Sequence, residues 1–303
     1  MVGMIDAFRP IFENRGVEVT AAKVVQVLTE DELCALLPDY DGWIIGDDPA
    51  TRRVFEAGKA GRLNAAVKWG IGVDNVDFKA CQDMGIPITN CPNMFGGEVA
   101  DIAVSYLVAL ARDTFNVDRS VRRGLWPKPR GVSLSGKVLG LIGLGDIGRS
   151  LAKRALAAEM KIVAYDPFYR GELPAGVELA PWPTRIDEAD FLAFTCSLTK
   201  DNRHMLNDAT LAGCKPGVRI VNVARGPLID EAALIRALQA GHVHSAALDV
   251  FEVEPLPMES PLREMPNTIF GSHNGSNTVD GVVRCSHIAI DTLLGFLDVP
   301  PAK

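Results

Sequence analysis

The chain has 303 residues, and 48% of them are hydrophobic, which is enough for two domains with separate cores. Its formal net charge is −7, and no dense run of Lys or Arg occurs, so the sequence lacks the electrostatic footprint of a nucleic-acid-binding protein. We find no apolar stretch of membrane-spanning length and no signal-peptide pattern, which predicts a cytoplasmic protein without a membrane partner. The six cysteines form no CxxC pair, so we expect reduced thiols and no metal site.

The first 92 residues alternate short apolar segments with helical ones, which predicts a small α/β domain with a parallel sheet. Thr29 and Glu32 form a Thr-x-x-Glu capping box, where the second helix is expected to begin. Only residues 1–5 precede the first helix, so either the sheet lacks its usual first strand or the natural start lies upstream. The predicted helices are 6–15, 29–37 and 49–60, and the predicted strands are 17–20, 42–46, 65–69 and 86–89.

A glycine-containing segment follows the strand predicted at 65–69. Glycines at the carboxyl end of a parallel strand expose backbone N–H groups, which suits the binding of an anion. The alternative is an ordinary turn in which the following Asp-Asn pair caps the next helix, and the two interpretations are compatible. We therefore expect the backbone of Gly70, Ile71, Gly72 and Val73 to bind an anionic group of a substrate.

A long helix with much Ala and little charge is predicted from Glu98 to Arg112. Such a helix is typical of a buried position, either between two domains or against a partner subunit. Val117 to Gly124 is predicted to continue it with more charge. The Trp-Pro-Lys-Pro segment at 126–129 then indicates an exposed linker.

The segment from Val138 to Asp166 carries the strongest pattern in the sequence: strand, glycine loop, helix, strand and terminal acid. In Gly143-x-Gly145-x-x-Gly148, the first glycine makes the tight turn, the second lets a pyrophosphate approach the backbone, and the third lets helix and strand pack closely. The free N–H groups at the start of the helix then face the phosphates. Asp166 ends the second strand, where a carboxylate accepts hydrogen bonds from the adenosine ribose.

These features together predict a dinucleotide site rather than a glycine-rich turn without a ligand. Asp166 favours NAD over NADP, because a carboxylate at this point repels a 2′-phosphate. Asp146 and Ile147 lie inside the loop and belong to the predicted cofactor site. Asp146 adds negative charge near the phosphates, so either Arg149 offsets that charge or Asp146 points to solvent.

After this segment, the alternation of strands and helices continues. Parallel strands place their carboxyl ends on one edge of a sheet, so we expect the functional residues to gather there, beside the glycine loop. A closing helix at 274–297 is predicted to return to the first domain. The predicted strands of this half are 138–142, 161–165, 190–195, 219–222, 244–248 and 268–270, and the predicted helices are 149–160, 207–212 and 230–240.

Arg225, Glu254 and His273 stand at such strand ends. Reduction of a 2-oxo acid needs a cation that holds the carboxylate and polarises the ketone, a proton donor, and a group that keeps this donor charged. An arginine binds a carboxylate through two hydrogen bonds, a histidine is the usual acid/base near neutral pH, and a carboxylate beside it favours the imidazolium. Taken singly, the three could equally be a helix cap, a loop acid and a structural histidine. The remaining histidines are expected to be structural or solvent-facing: His204, His242, His244 and His287.

Several motifs resemble those of one family, the D-isomer-specific 2-hydroxyacid dehydrogenases. They are GVDNVD (72–77), LIGLGDIG (141–148), VNVARGPLIDEAAL (221–234), ALDVFEVEP (247–255) and the segment around His273, and they occur in family order over nearly the whole chain. The family includes D-3-phosphoglycerate dehydrogenase, glyoxylate/hydroxypyruvate reductase and formate dehydrogenase. The resemblance implies an NAD-dependent enzyme that interconverts a D-2-hydroxy acid and its 2-oxo acid.

The resemblance also implies roles for individual residues. Arg225 would bind the substrate carboxylate together with the backbone of residues 70–73, and His273 would be the acid/base. Glu254 would be the carboxylate partner of His273. Asp249 is similar to the family's acid near the nicotinamide amide. Two further residues belong to the predicted cofactor site: Thr199 and Ala224.

The implied fold class is α/β, with two Rossmann-like or flavodoxin-like domains, each a doubly wound parallel sheet. Residues 1–92, completed by about 276–303, would form the substrate domain, and residues 93–275 would form the NAD-binding Rossmann domain. The implied assembly is a homodimer built on the cofactor domain.

Two segments depart from the family pattern. The family often has His-x-Pro at the cofactor edge where this chain has Thr-Cys-Ser at 195–197, and usually Ile-Gly-Gly where this chain has Asn-Gly-Ser at 274–276. These changes affect cofactor affinity and substrate choice rather than the class of reaction. Lys68 could meet a distal phosphate of a substrate, whereas Trp69 would narrow the substrate pocket.

A protein of another class remains the main alternative: an NAD-sensing binding protein, like the transcriptional co-repressors that resemble this family. The chain shows no disordered or basic extension of the kind expected for that role. The sequence therefore favours the enzyme, of the phosphoglycerate dehydrogenase or hydroxypyruvate/glyoxylate reductase type, and leaves the substrate open.

Overall fold

Two units, each built around its own parallel sheet, make up the chain in a computed structural model that describes residues 1–24 and 27–301. The first unit comprises Met1–Phe95 and Asn277–Lys303, and the second unit comprises Gly96–Ser276. The strands of the described residues are β1 (Gly42–Ile45), β2 (Ala65–Lys68), β3 (Ile88–Asn90), β4 (Val138–Ile142), β5 (Lys161–Tyr165), β6 (Val177–Leu179), β7 (Phe191–Phe194), β8 (Val218–Asn222), β9 (Val243–Leu248) and β10 (Thr268–Phe270).

Helices alternate with these strands along most of the chain. The α-helices of the described residues are α1 (Ile5–Glu13), α2 (Glu30–Leu36), α3 (Arg52–Ala60), α4 (Phe78–Met84), α5 (Gly96–Arg112), α6 (Thr114–Arg122), α7 (Asp146–Ala157), α8 (Asp208–Ala212), α9 (Glu231–Gln239) and α10 (Val279–Phe296). Short 3-10 helices occupy Val2–Met4, Leu37–Asp39, Ile186–Glu188, Gly226–Leu228 and Pro261–Glu264.

The sheet of the first unit has the order β1-β2-β3 with all strands parallel. All four residues of β2 are buried, as expected for a central strand covered on both faces. The register aligns Ile45 with Lys68 and Lys68 with Asn90, so the three strands end side by side. A methyl group on Gly42 would come within 2.9 Å of Leu297, so this glycine allows the close approach of the α10 end to β1.

The strand predicted at 17–20 is wrong, since the structure has no strand at these residues. Val17 and Val19 do alternate inward, and both pack against an apolar cluster that includes Phe8 of α1. Among the described residues, no strand pairs with this segment, and the Val19 carbonyl accepts a hydrogen bond from Arg9 instead. The alternating pattern therefore reflects packing of side chains rather than membership of the sheet.

The second unit contains a seven-stranded parallel sheet of order β10-β9-β8-β7-β4-β5-β6. The chain runs from β4 outward to β6 and then returns to the other side of β4 as β7. The order of the strands thus reverses between β4 and β7, which is the point where ligands bind in open α/β sheets. The fold predicted from the sequence is confirmed in this unit.

Most predicted elements of the second unit are present, with shifted bounds. The edge strand β6 was missed, because its three residues carry no apolar run and two of them are exposed. The glycine-loop helix α7 begins at Asp146 rather than residue 149. The closing helix α10 begins at Val279 rather than residue 274, because Thr278 caps it by accepting a hydrogen bond from Gly281 N–H. Residues 274–278 consequently remain a loop.

Within residues 1–24 and 27–301, no helix is both long enough and apolar enough to cross a membrane.

The predicted capping box at the start of α2 is confirmed. Thr29 Oγ1 accepts a hydrogen bond from Glu32 N–H, and Glu32 Oε2 accepts one from Thr29 N–H at 2.8 Å. Hydrogen bonds from the backbone and then the hydroxyl of Thr29 lower the pKa of Glu32. The box therefore stabilises the helix above the ordinary pH range of Glu ionisation, and its contribution decreases as the pH falls through the lowered pKa.

We predict that Thr29→Ala lowers the free energy of unfolding by about 1 kcal/mol at pH 7, as measured by urea denaturation. The difference from the wild-type chain should shrink at acidic pH. Thr51→Ala is the matched control, because Thr51 precedes α3 but its side chain makes no capping hydrogen bond. An equal loss of stability in both variants would contradict the assignment.

Candidate active site

The glycine loop lies at the point where the strand order reverses, directly after β4. Gly143 has φ +93°, and a methyl group there would come within 2.8 Å of the Cys196 backbone. A methyl group on Gly148 would collide with the Gly143 carbonyl. No described atom lies within 4 Å of a methyl group placed on Gly145, which is exposed. The first and third glycines are thus required by packing, whereas Gly145 leaves space for a ligand.

The helix that follows presents its N-terminus at this space. Gly145 is the N-cap of α7, so the backbone N–H groups of its first turn have no partner within the helix. Asp146 lies against Gly96 at the start of α5, where its carboxylate meets the positive end of a second helix. Arg149 donates to the Leu144 carbonyl at 3.2 Å. The negative charge of Asp146 therefore faces the α5 N-terminus, an arrangement that the sequence did not predict.

Asp166 follows β5, one strand from the glycine loop. Its carboxylate accepts hydrogen bonds from Leu144 N–H at 2.8 Å and from Phe168 N–H at 2.9 Å. These two bonds hold the carboxylate beside the loop, at the position where ribose hydroxyls are bound in this type of site. The open space at Gly145, the helix N-terminus and Asp166 fit a dinucleotide such as NAD.

The segment that departs from the family pattern, residues 195–197, follows β7 and forms the other wall of this site. Thr195 Oγ1 donates towards the carbonyls of Ile142 and Gly143, at 3.0 and 2.9 Å. Burial raises the pKa of Cys196 to about 12, so its thiol stays protonated and unreactive. Thr199 is exposed, and its N–H donates to Asn202 Oδ1 at 2.7 Å, which closes the loop.

Arg225 and Ala224 stand just beyond the end of β8. The side chain of Asn222 is fully buried, accepts a hydrogen bond from Ala224 N–H at 3.0 Å and donates one to the Arg225 carbonyl at 2.9 Å. The guanidinium of Arg225 donates to the Ala224 carbonyl at 2.7 Å. A methyl group on Gly226 would collide with the Phe251 backbone. This glycine therefore allows the loop that follows β9, residues 249–255 (the β9 loop), to pass next to Arg225.

The β9 loop brings Glu254 into contact with His273. Glu254 Oε2 lies 2.7 Å from His273 Nδ1, and Glu254 Oε1 accepts a hydrogen bond from Phe251 N–H at 2.9 Å. The side chains of the pair are 24% and 30% exposed, so the pair is partly shielded but accessible to a small molecule. His273 adopts φ +55°, a left-handed conformation set by the turn after β10. The structure therefore joins two of the three predicted catalytic residues directly.

Asp249 holds this turn in place. It is 3% exposed, and its carboxylate accepts hydrogen bonds from Asn274 N–H at 3.2 Å and Gly275 N–H at 2.9 Å. Its carbonyl accepts a third from His273 N–H, at 2.6 Å. Tyr106 of α5 lies beside the same carboxylate, and burial, with the charge of Asp249, raises the pKa of its hydroxyl. The backbone N–H groups of the turn that carries His273 thus replace water as hydrogen-bond donors to the buried Asp249 carboxylate.

Tyr106 and Asn222 belong to this site but were not expected from the sequence. A polar residue at the end of the apolar run of β8 was the available signal for Asn222. Tyr106 is one of several large residues on the apolar helix α5, and nothing in the local pattern distinguishes it.

The other histidines have contacts away from this pair. His204 Nε2 contacts Glu252 Oε1 in the loop that follows β9. His242 Nε2 lies 2.8 Å from the Leu211 carbonyl, His244 contacts Ser245, and the His287 ring packs edge-on against Phe8. These contacts agree with the structural roles expected for them.

The predicted anion-binding segment, residues 70–73, follows β2 in the first unit. Gly70 has φ +101°, and the side chains of Ile71 and Val73 are 36% and 39% exposed. Asn75 donates to the carbonyls of Gly46 and Asp48, at 3.1 and 2.7 Å, and braces this loop from behind. The helix cap is Asp77, which accepts a hydrogen bond from Ala80 N–H, rather than the Asp-Asn pair considered from the sequence.

Lys68 and Trp69 sit directly before this segment, and both are held by protein contacts. Lys68 is 3% exposed, and its ammonium donates to the carbonyls of Gly46 and Trp69, at 2.7 and 3.1 Å, and to Asp47 at 3.3 Å. Trp69 Nε1 donates to Ser286 at 3.1 Å, and its ring lies 5.4 Å from that of Phe95. The lysine therefore braces the loop and makes three contacts that a phosphate would have to replace.

Among the described residues, no group of His, Cys, Asp or Glu side chains is arranged to hold a metal ion.

Comparison with known proteins places these residues in context. Residues 104–275 match the family described as D-isomer specific 2-hydroxyacid dehydrogenase, NAD binding domain. The chain is 38% identical to a hydroxypyruvate reductase of Thermotoga maritima, over 92% of this chain and 90% of that protein. It is 37% identical to the D-3-phosphoglycerate dehydrogenase of Rattus norvegicus over 97% of this chain but only 55% of that protein. The chain therefore spans about half the length of the rat protein. The crystal structure of the TT0316 protein from Thermus thermophilus is similar, with a TM-score of 0.87 and 32% identity over 99% of this chain and 95% of that one.

We predict that Gly148→Ala and Gly145→Ala both weaken NADH binding, for different reasons. The added methyl of Gly148→Ala collides with the Gly143 carbonyl and should also lower the free energy of unfolding by about 1–3 kcal/mol. The methyl of Gly145→Ala meets no described protein atom within 4 Å and should leave the unfolding temperature nearly unchanged. Thermal unfolding and NADH fluorescence titration measure the two effects. Wild-type NADH affinity in Gly145→Ala would contradict the assigned phosphate position.

Proposed function

Because the chain belongs to the D-isomer-specific 2-hydroxyacid dehydrogenase family and is an NAD-dependent oxidoreductase, we propose that it interconverts a small, unphosphorylated D-2-hydroxy acid and its 2-oxo acid. The observation that carries the proposal is the contact between His273 and Glu254, 2.7 Å long, at the sheet edge where Arg225 also stands. These are the three groups that reduction of a 2-oxo acid requires.

His273 acts as the acid/base in this proposal. Glu254 binds Nδ1, which fixes the orientation of the ring, and His273 exchanges the proton with the substrate oxygen through its imidazole. Glu254 is itself held by Phe251 N–H, so its carboxylate has one arrangement in which to stabilise the imidazolium. NADH supplies the hydride when it is bound.

Arg225 binds the substrate carboxylate and polarises the ketone. Its backbone is fixed by Asn222, so the guanidinium extends from a rigid point at the end of β8. The backbone N–H groups of residues 70–73 are proposed to bind the same carboxylate, since this loop follows a buried strand and is braced by Asn75 and Lys68. Thr199, Ala224 and Asp249 remain predicted parts of the cofactor site.

The unphosphorylated substrate is favoured by the two residues before that loop. Lys68 already donates to two carbonyls and to Asp47, so phosphate binding would require it to break these contacts. Trp69 is held by Ser286 and Phe95, so its indole keeps a fixed position. Hydroxypyruvate and glyoxylate are therefore the preferred candidates, and the hydroxypyruvate reductase of Thermotoga maritima is a relative of matching length.

We also propose a homodimer formed through the second unit. Five large apolar side chains between residues 108 and 126 are at least 41% exposed, and Trp126 reaches 76%. Such a concentration of exposed apolar side chains indicates a surface that another chain covers. These residues are Val108, Phe115, Val121, Leu125 and Trp126.

The cytoplasmic location expected from the sequence stays a prediction.

The test of the activity is NADH oxidation with a panel of 2-oxo acids, namely glyoxylate, hydroxypyruvate, 3-phosphohydroxypyruvate, pyruvate and 2-oxoglutarate. We expect hydroxypyruvate or glyoxylate to give the highest kcat/KM. A clear preference for the phosphorylated acid would overturn the choice of an unphosphorylated substrate. NADH binding without reduction of any acid would favour the cofactor-sensing alternative.

We predict that His273→Asn lowers kcat by about 10²–10⁴-fold with little change in fold, because Asn tolerates the left-handed backbone at this position. His204→Asn is a matched control, since His204 has a similar φ of +52° but pairs with Glu252 instead. Arg225→Ala should lose most turnover while NADH still binds. If His273→Asn and His204→Asn had equal effects, His273 would not be the acid/base.

The dimer is tested by Trp126→Asp combined with Leu125→Asp, which should convert the protein to a monomer in light scattering after size-exclusion chromatography. A charged residue cannot be buried in an apolar interface without a large desolvation cost. Met258→Asp is the control, because Met258 is 80% exposed and lies outside the segment 108–126. A wild-type chain that is already monomeric would refute the proposal.

A further inference from the structure

The hydroxyl of Tyr106 lies beside the buried carboxylate of Asp249 in the second unit. Tyr106 belongs to α5 and is 6% exposed, and Asp249 follows β9 and is 3% exposed. A methyl group on Gly271 would collide with Asp249 Oδ1 and would lie 2.6 Å from the Tyr106 hydroxyl oxygen. Both oxygen atoms therefore border the space that Gly271 leaves open by having no side chain.

The Asp249 carboxylate can accept more hydrogen bonds than the turn after β10 provides. Its oxygen atoms accept one from Asn274 N–H at 3.2 Å and one from Gly275 N–H at 2.9 Å. An ionised carboxylate has about four acceptor positions. A buried charge is more stable when further donors fill these positions, so a hydroxyl and a ligand can both be accommodated at this carboxylate.

The Tyr106 hydroxyl keeps its proton in this environment. Burial, and then the charge of Asp249, raises the pKa of the hydroxyl. A protonated phenol is a hydrogen-bond donor, and a hydrogen bond to an ionised acceptor is about twice as strong as one between neutral groups. Tyr106 is therefore suited to hold one oxygen of the Asp249 carboxylate.

The helix that carries Tyr106 is fixed to the glycine loop at its other end. It begins at Gly96, against which Asp146 of that loop lies. In addition, Arg154 of α7 donates a hydrogen bond to Asp101 at 2.7 Å. From Gly96 to Tyr106 the helix rises about 15 Å, at 1.5 Å per residue. One rigid helix thus sets the position of Tyr106 relative to the loop predicted to bind the pyrophosphate.

The nicotinamide ring must lie close to Asp249 if the proposed function is correct. Hydride transfer requires the ring to be about 3–3.5 Å from the substrate carbon whose oxygen His273 protonates. The Asp249 carbonyl accepts a hydrogen bond from His273 N–H at 2.6 Å, so the two residues are neighbours. The carboxamide on the ring carries an NH₂ group, which is a donor that suits a carboxylate.

We propose that Tyr106 is a positioning residue for the cofactor: its hydroxyl holds the Asp249 carboxylate in the orientation that accepts a hydrogen bond from the nicotinamide carboxamide. Tyr106 acts through Asp249 and contacts neither the substrate nor the cofactor. The inference rests on the proposed function, which places the nicotinamide beside His273. Without the hydroxyl, only the backbone of the turn orients the carboxylate, and its hydrogen bond to the carboxamide is weakened.

The test compares two cofactors that differ at the carboxamide. We expect Tyr106→Phe to weaken the binding of NADH to the full chain by about 5- to 20-fold, as measured by isothermal titration calorimetry without a 2-oxo acid. Reduced 3-acetylpyridine adenine dinucleotide has a methyl group in place of the amide nitrogen, so it should bind to the variant and the wild type equally. An equal loss for both cofactors, or no loss for NADH, would overturn the proposal.

Tyr165→Phe is the matched control. Tyr165 is 3% exposed, and its hydroxyl donates to the Thr184 carbonyl at 2.9 Å, so this variant also loses a buried hydroxyl. It should lower the free energy of unfolding without distinguishing between NADH and the acetylpyridine cofactor. If Tyr165→Phe weakened NADH binding selectively, as Tyr106→Phe is expected to do, the selectivity would not come from a contact with Asp249 and the assignment would be wrong.

A double variant tests whether Tyr106 acts through Asp249. In the Asp249→Asn background, Tyr106→Phe should cause a smaller further loss of NADH affinity than it causes in the wild type. Fully additive losses would refute the coupling between the two residues. These titrations need no turnover. A chain that binds NADH with this selectivity but reduces no acid would therefore count against the proposed function and not against the role of Tyr106.

Discussion

The carboxylate of Asp249 is buried at the end of β9, and a buried charge is stable only when hydrogen bonds replace the lost water. In this protein, the backbone N–H groups of Asn274 and Gly275 provide those hydrogen bonds, and the Asp249 carbonyl binds His273 N–H. The turn after β10 must therefore fold back over the end of β9. In this turn His273 adopts a left-handed conformation.

The arrangement of Glu254 and His273 follows from that turn. Once His273 is fixed, Glu254 reaches its Nδ1 because Phe251 N–H holds the Glu254 carboxylate. Gly226 then lets the β9 loop pass close to the end of β8, where Asn222 fixes the backbone of Arg225. Rigid strand ends and backbone hydrogen bonds thus position Arg225, Glu254 and His273, which is the preorganisation that the proposed acid/base role requires.

The first unit uses the same principle with a different set of contacts. The loop at residues 70–73, predicted to bind an anion, follows a buried strand, and hydrogen bonds from the side chains of Lys68, Asn75 and Asn90 to backbone carbonyls brace it. Cys91 N–H, which donates to the Gly70 carbonyl at 3.0 Å, completes this support.

The sequence alone determined the second unit's sheet, the glycine loop, Asp166 and the family, because each of these is set by residues close together in the chain: apolar runs, glycine spacing and a terminal acid. It could name Arg225, Glu254 and His273 as candidates, since polar residues at strand ends are visible in the pattern. Only the tertiary structure decided that Glu254 and His273 touch, that Asp146 faces the start of α5, and that Lys68 is bound to carbonyl groups. It also decided that residues 17–20 pack without joining the sheet, and it brought Tyr106 to Asp249. These contacts join residues far apart in the chain, and such pairings depend on how the strands and helices pack rather than on any local pattern.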